Sequence, residues 1–218
     1  MSRTFNGSTQ WLTYTGVAVS GQPATFSSRA YASAINRYQV LVCEGRDNAT
    51  AYLLRNIVYA SNVVEAVSLG NNAGNTTTVG TVSQNTWFGA AATFGPSVQY
   101  AWKDGTKSSS ASYVAPGAMT YTTIGVEQLS TTYFPWQGRI ADVGLYAAVL
   151  TDQDVVALNA GWCPLLVSPS ALRSYWPLGG AMGNSDADRV GPATMTPVGS
   201  PTWGDHPKTI YPCDAQCC

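Results

Sequence analysis

Residues 138–161 read GRIADVGLYAAVLTDQDVVALNAG, and the periodicity of the chain changes inside that stretch. From Arg139 to Ala148 the pattern is that of a strand. Ile140 and Val143 fall on opposite parities, so either a bulge intervenes or both faces are covered. From Thr151 the period becomes helical, with Val155 and Leu158 three apart on one face of a short helix near 152–160. Thr151 with an acid three residues on is a variant of the capping box. Asp152 and Asp154 occupy the first turn, where the helix dipole favours negative charge, and Gly161 suits the left-handed position that ends a helix. TDQD is the densest run of carboxylates in the chain. Its context gives Thr151, Asp154 and Gly161 a structural part rather than a catalytic one.

Upstream, short apolar runs are punctuated by Gly, Asn, Ser and Pro about every ten residues, the mark of a sandwich or barrel. Thr86 to Phe94 (TWFGAAATF) puts Phe88, Ala90, Ala92 and Phe94 on one face. Val98 to Lys103 alternates Val98, Tyr100 and Trp102 against Gln99, Ala101 and Lys103. Asp104-Gly105 then supplies a tight hairpin turn. Tyr38 to Glu44 and Ala51 to Tyr59 are more continuously apolar, as in strands at the middle of a packed sheet. Asn71 to Thr78 (NNAGNTTT) reads as a polar loop. The expected fold class is all-β, with two packed antiparallel sheets and one helix.

Composition agrees. Charged residues make up 11% of the 218, against roughly a quarter in a typical soluble domain. Seven Trp and twelve Tyr keep the chain out of the disordered class. A net charge of −1 without clustered Lys and Arg argues against a nucleic-acid partner. No apolar run reaches the roughly 18 residues of a membrane span. The opening MSRTFNGSTQ lacks a basic segment followed by an apolar one, which sets the expectation of a chain made without a secretory signal. Five cysteines, three of them in the last six residues, do not form the framework of a secreted mini-domain.

Several segments together resemble laminin G-like, concanavalin A-like jelly rolls. FNGSTQWL (5–12) is similar to that family's FDGS entry, and TWFGAAATFGPSVQYAWKDGTKSSSA (86–111) to its W-x-H-V-A-x-T-F strand and hairpin. YTTIG (121–125) and WQGRIADVGLYAAVLTDQDVVALNAG (136–161) are similar to its closing strand and helix. LRSYWPLGG (172–180) and ADRVGPATMTPVGSPTW (187–203) resemble the family's usual opening, here placed after the helix. The residues from 172 onward are too few for a second sandwich of about 100 residues. The resemblance therefore implies a circularly permuted jelly roll: residues 1–212 as one domain, 172–204 supplying the displaced strands, and 213–218 a Cys-rich tail. The second half is also similar to laminin G-like proteins of tailed bacteriophages. That likeness implies a non-catalytic virion protein decorating the capsid, assembled in the host cytoplasm against the major capsid protein, other virion proteins or further copies of itself. The alternative it leaves open is a carbohydrate-binding module for adhesion to a host or environmental glycan.

The same residues bound the chemistry open to the chain. A glycosidase needs two carboxyls about 5–9 Å apart, and the three Glu (Glu44, Glu65, Glu127) fall in no such arrangement. His206, between Asp205 and Pro207, reads as a surface or edge histidine, and no G-x-S-x-G elbow accompanies it. His206 with Cys213, Cys217 and Cys218 offers zinc-type ligands, though without the usual C-x₂-C knuckle. Calcium binding is implied for many relatives, and Asp186 and Asp188 are the loop pair that would serve it, Ala141 standing where the family has Asp. No other cofactor is indicated. Tyr133, Phe134, Trp136 and Arg139, around a Pro-containing loop, are the candidate glycan- or partner-binding residues. Trp11 and Trp102 alternate like sheet residues and read as core.

Overall fold

The computed structural model describes residues 1–46, 53–58, 61–70, 73–128, 132–179 and 185–211. Among these, two antiparallel sheets of nine and seven strands face each other, beside one two-stranded pair. In the larger sheet the order is Thr106–Lys107, Val98–Lys103, Trp87–Phe94, Ala24–Ala32, Gln137–Tyr146, Ser2–Asn6 and Thr202–Gly204. Ala111–Ser112 also pairs with Val98–Lys103, and Leu172–Trp176 with Gln137–Tyr146. The smaller sheet runs Thr196–Val198, Trp11–Thr15, Tyr121–Ile124, Gln39–Gly45, Leu53–Val58, Val63–Gly70 and Ala73–Thr81. No helix among the described residues is long and apolar enough to cross a membrane.

Period-2 alternation places the core. Phe88, Ala90, Ala92 and Phe94 point between the sheets with Leu12, Phe26, Leu41, Ile124 and Ile140. Phe26 and Phe94 meet edge to face at 5.4 Å. The small alanines let the opposing aromatics interdigitate, as close packing requires. A carboxyl shares this interior. Glu44 Oε1 accepts from the N–H groups of Ala18 (2.6 Å) and Val19 (3.1 Å) and from the Thr122 hydroxyl (3.1 Å). Its Oε2 is buried without a partner. Burial outweighs those three hydrogen bonds and pushes the carboxyl up to about 8.

Gln137–Tyr146 organises the larger sheet. Ser2–Asn6 pairs with its first half (Gln137 to Ile140) and Leu172–Trp176 with its second (Val143 to Tyr146). The chain's first strand and the YWPL strand therefore lie end to end on one flank. A Cβ at Gly179 would run into the Met1 carbonyl. Residues 172–204 supply strands to both sheets. The parity switch between Ile140 and Val143 is a bulge, with Asp142 at φ +50° absorbing the extra residue. Of the expected loop Asn71 to Thr78, Asn71 and Asn72 lie outside the described residues and the rest departs from expectation: Ala73–Thr81 is a strand at the sheet edge. Its outward positions are polar because an edge strand meets water on that side, so its inward residues Thr77 and Val79 are too few to show a strand pattern.

The helix is Asp152–Asn159. Asp154 N–H donates to Thr151 Oγ1 (3.2 Å), while Thr151 N–H and Oγ1 donate to Asp154 Oδ2 (3.2 and 2.8 Å). The Ser168 hydroxyl donates to the same oxygen, and Asp152 pairs with Lys107 at 2.7 Å. Gly161 (φ +100°) follows, at a point where a side chain would meet the Arg29 guanidinium.

Candidate functional site

The outer face of the nine-stranded sheet, turned away from the core, carries the functional candidates. Half of it is covered. Val155 and Leu158 of the helix, with Leu150, Val167 and Leu172, pack on Ala91, Trp102, Tyr146 and Tyr175. The helix can settle that low because Gly89 has no side chain: a Cβ there would stand 2.6 Å from Asn159 Cα. Asp104 Oδ1 accepts from Gly89 N–H, and Asn159 Oδ1 from Gly105 N–H, closing the helix end against the hairpin.

Beneath this cover lies a polar cluster. Asp142, 4% exposed, accepts from the hydroxyls of Tyr175 (2.9 Å) and Thr209 (3.0 Å), and His206 Nε2 stands 3.7 Å away. Burial raises the Asp142 carboxyl above its ordinary value, and His206, Tyr175, Thr209 and Arg29 pull against that rise. Burial and the Asp142 charge push the Tyr175 phenol up, so it stays protonated and donates. Arg29 faces the cluster from the neighbouring strand; burial lowers its guanidinium, and Asp142 and Asp104 hold it back up. The His206 ring also lies 2.7 Å from the Pro207 carbonyl and 3.3 Å from that of Pro177. With Ile210 N–H on Gly161 O (2.7 Å), these contacts fasten residues 205–211 across the sheet.

Two positions beyond Gly89 the cover ends and a row of side chains lies open. Register aligns Trp87 with Tyr31, Tyr31 with Arg139, Arg139 with Thr4 and Thr4 with Thr202. Neighbouring strands are about 4.8 Å apart, so the row runs perpendicular to the strands across five of them. Tyr31 and Trp87 meet at 5.7 Å with rings tilted by 57°. The Arg139 guanidinium lies 4.1 Å from the Tyr31 ring centre and 5.8 Å from that of Trp87. Trp87, Tyr31, Arg139 and Thr4 are all half-buried, their free surface turned to solvent. No pocket indents the described surface, so a ligand here would lie on an open face.

The residues singled out from sequence are dispersed. Trp136 is fully buried, 6.5 Å from Phe88 in the core, and offers no stacking face, which corrects its reading as a loop aromatic. Phe134 takes a left-handed turn (φ +53°) and lies on the other sheet, against Tyr38 at 5.0 Å and over Val40, Cys43, Val67 and Tyr121. The turn separates neighbours in sequence, so Phe134, Trp136 and Arg139 do not form one site. The side chain of Tyr133 lies outside the described residues. Asp186 is a bidentate partner of Arg3, and Asp188 Oδ1 accepts from Tyr175 and Val190 N–H, so both carboxylates of this pair help to hold the fold. His206 is not a surface residue: its side chain is 9% exposed because the Asp142 cluster draws it in. Cys213, Cys217 and Cys218 lie outside the described residues. Among those described, no three His, Cys, Asp or Glu side chains are placed to share a cation.

Solved structures give the geometry a context. A native heptameric SAP-like pentraxin from Limulus polyphemus superposes with a TM-score of 0.57 at 12% identity, over 72% of this chain and 81% of that one. The fold is a concanavalin A-like jelly roll. The CBM40 domain of Ruminococcus gnavus IT-sialidase bound to α2,3-sialyllactose matches it with a TM-score of 0.59 at 11% identity, over 73% and 98%. A candidate carbohydrate-binding protein from Bacteroides ovatus matches 93% of this jelly roll with a TM-score of 0.65 at 13% identity, and the chain spans 59% of that protein. No protein-family profile and no curated protein sequence matches the chain. The likeness is one of fold.

Sequence reasoning missed Trp87, Tyr31 and Asp205. The motif around Trp87 was visible, but its partners come from strands far apart in sequence, and only register joins them.

Proposed function

We propose that this jelly roll is a non-catalytic carbohydrate-binding module whose ligand lies along the Trp87–Tyr31–Arg139–Thr4 row. The supporting observation is the row itself: two adjacent aromatics and a guanidinium held in register on the one uncovered half of a rigid sheet. Saccharides bind by stacking their apolar faces on aromatic rings while hydrogen-bonding groups fix the hydroxyls. Trp87 supplies the stacking face, Arg139 and Thr4 the hydrogen bonds. Two of the compared proteins, the CBM40 domain and the Bacteroides ovatus protein, are named for carbohydrate binding, which supports the reading without locating a site. Placement on a virion, in head or tail, rests on the sequence resemblance alone.

A glycan array tests this. The wild-type chain is expected to bind at least one glycan saturably, and Trp87→Ala to abolish that binding with an unchanged circular dichroism spectrum. Binding that survives Trp87→Ala, or no binding to any glycan, would overturn the proposal.

A further inference from the structure

We infer that the saccharide taken by this face carries a carboxylate, which replaces Asp205 on Arg139; the inference rests on the reading of the row as a glycan site. The chain already shows how the guanidinium receives such a group. Arg139 Nη1 donates to Asp205 Oδ2 at 3.2 Å, with the Arg139 side chain 20% exposed and that of Asp205 96% exposed. One member is pinned and the other hangs in water. The Arg139 guanidinium is held over the Tyr31 ring, with Trp87 behind it, which restrains its N–H fork before any ligand arrives. The backbone of Asp205 is anchored by the Ser2 hydroxyl on its carbonyl (2.6 Å), and its neighbour His206 by the Asp142 cluster. Only the Asp205 side chain is free to leave, and an ion pair exposed on one side is worth little.

Arg3 in the same sheet makes the contrast. It holds Asp186 through both Nε and Nη2, with the two side chains 9% and 11% exposed, a pair closed to exchange. Arg139 has a single contact to a solvated carboxylate, so its fork has room for the two parallel N–H···O bonds that a ligand carboxylate accepts. The surroundings favour an anion as well. Among the described residues Arg37 donates to neutral acceptors, Gln137 Oε1 (3.3 Å) and Gly7 O (3.1 Å), and Gln137 lies two positions from Arg139 on its strand. Arg29 follows at the next outward position after Tyr31, and exposed Lys208 offers its carbonyl to the Arg29 guanidinium. In a chain with so few charges, Arg37 adds to the margin of this row a guanidinium without a carboxylate partner among the described residues, whereas Arg29 already faces Asp142 and Asp104.

Carboxylated sugars come as nonulosonates or uronates, and calorimetric titration separates the two. The full chain is titrated with 3′-sialyllactose, with lactose, with a hyaluronan oligosaccharide and with a neutral cello-oligosaccharide. At least one carboxylated ligand is expected to bind about tenfold or more tighter than its neutral counterpart, an advantage lost in Arg139→Gln and eroded by salt. Asp205→Ala, a solvated position that the fold does not need, is expected to tighten the carboxylated ligand severalfold by removing the internal competitor. Equal affinity for neutral and carboxylated ligands, or weaker binding in Asp205→Ala, would overturn the carboxylate inference and leave the glycan reading standing. Binding of none of the four, together with a silent array, would overturn both.

Discussion

The two halves of one sheet face meet different fates. On one, Trp102, Tyr146 and Tyr175 point outward and are buried, because the helix and residues 161–172 fold back over them. On the other, Trp87, Tyr31 and Arg139 point outward by the same alternation and stay half-open, because the cover stops at Gly89. Outward aromatics are therefore not equivalent. What separates a second core from a binding face is where the returning chain ends, and Gly89 with Asn159 sets that limit. The Asp142 cluster marks the boundary, since it fastens the last covering segment beside the open row.

Breaking the covered half should have the largest effect. Trp102→Ala empties a packed site and is expected to cost about 3–5 kcal/mol in chemical denaturation. If the two halves were alike, Trp87→Ala would cost as much. Next comes a control from the inner face, where Glu44 is a buried carboxyl rather than a surface one. An unfolded glutamate releases its proton near 4.5 and this one at about 8, so the native state holds the proton over the interval between. Stability is then greatest below that interval and falls as pH rises through it, on the order of a few kcal/mol. Glu44→Gln should flatten the melting-temperature profile from pH 5 to about 8, and an unchanged slope would contradict the burial argument.

Thr151→Ala sharpens the comparison at smaller scale. Losing the cap should cost about 1 kcal/mol and loosen the cover without touching glycan affinity. A loss of affinity at full stability would mean that the cover and the row are not separate devices. Smallest is Trp87→Ala, expected to change stability by about 1 kcal/mol or less, since a half-open ring gives up little burial and one tilted aromatic contact.

The same contrast explains what the sequence made legible. Alternation in TWFGAAATF was readable because one face is buried throughout, and the bulge near Asp142 showed as a parity switch between Ile140 and Val143. TDQD was readable because a capping box is local, and here Thr151 and Asp154 need only each other. Ala73–Thr81 was hidden because its outward positions are polar, like a loop. Trp136 misled because an aromatic beside a proline looks exposed, whereas the turn at Phe134 directs it inward. His206 lost its surface reading to Asp142, a residue far away in sequence. The row itself has no local signature: Tyr31, Trp87 and Arg139 sit on three strands, and only their pairing brings them within a ring's width.

The most direct test uses the indole N–H signals of the seven tryptophans, one per side chain, in an NMR titration with a glycan drawn from the array. A ligand on the open row should shift Trp87 progressively to saturation and leave Trp102, Trp136 and Trp176 in place, since those three are buried. Shifts confined to other tryptophans, with Trp87 unmoved at saturation, would contradict the assignment of the open half as the binding face.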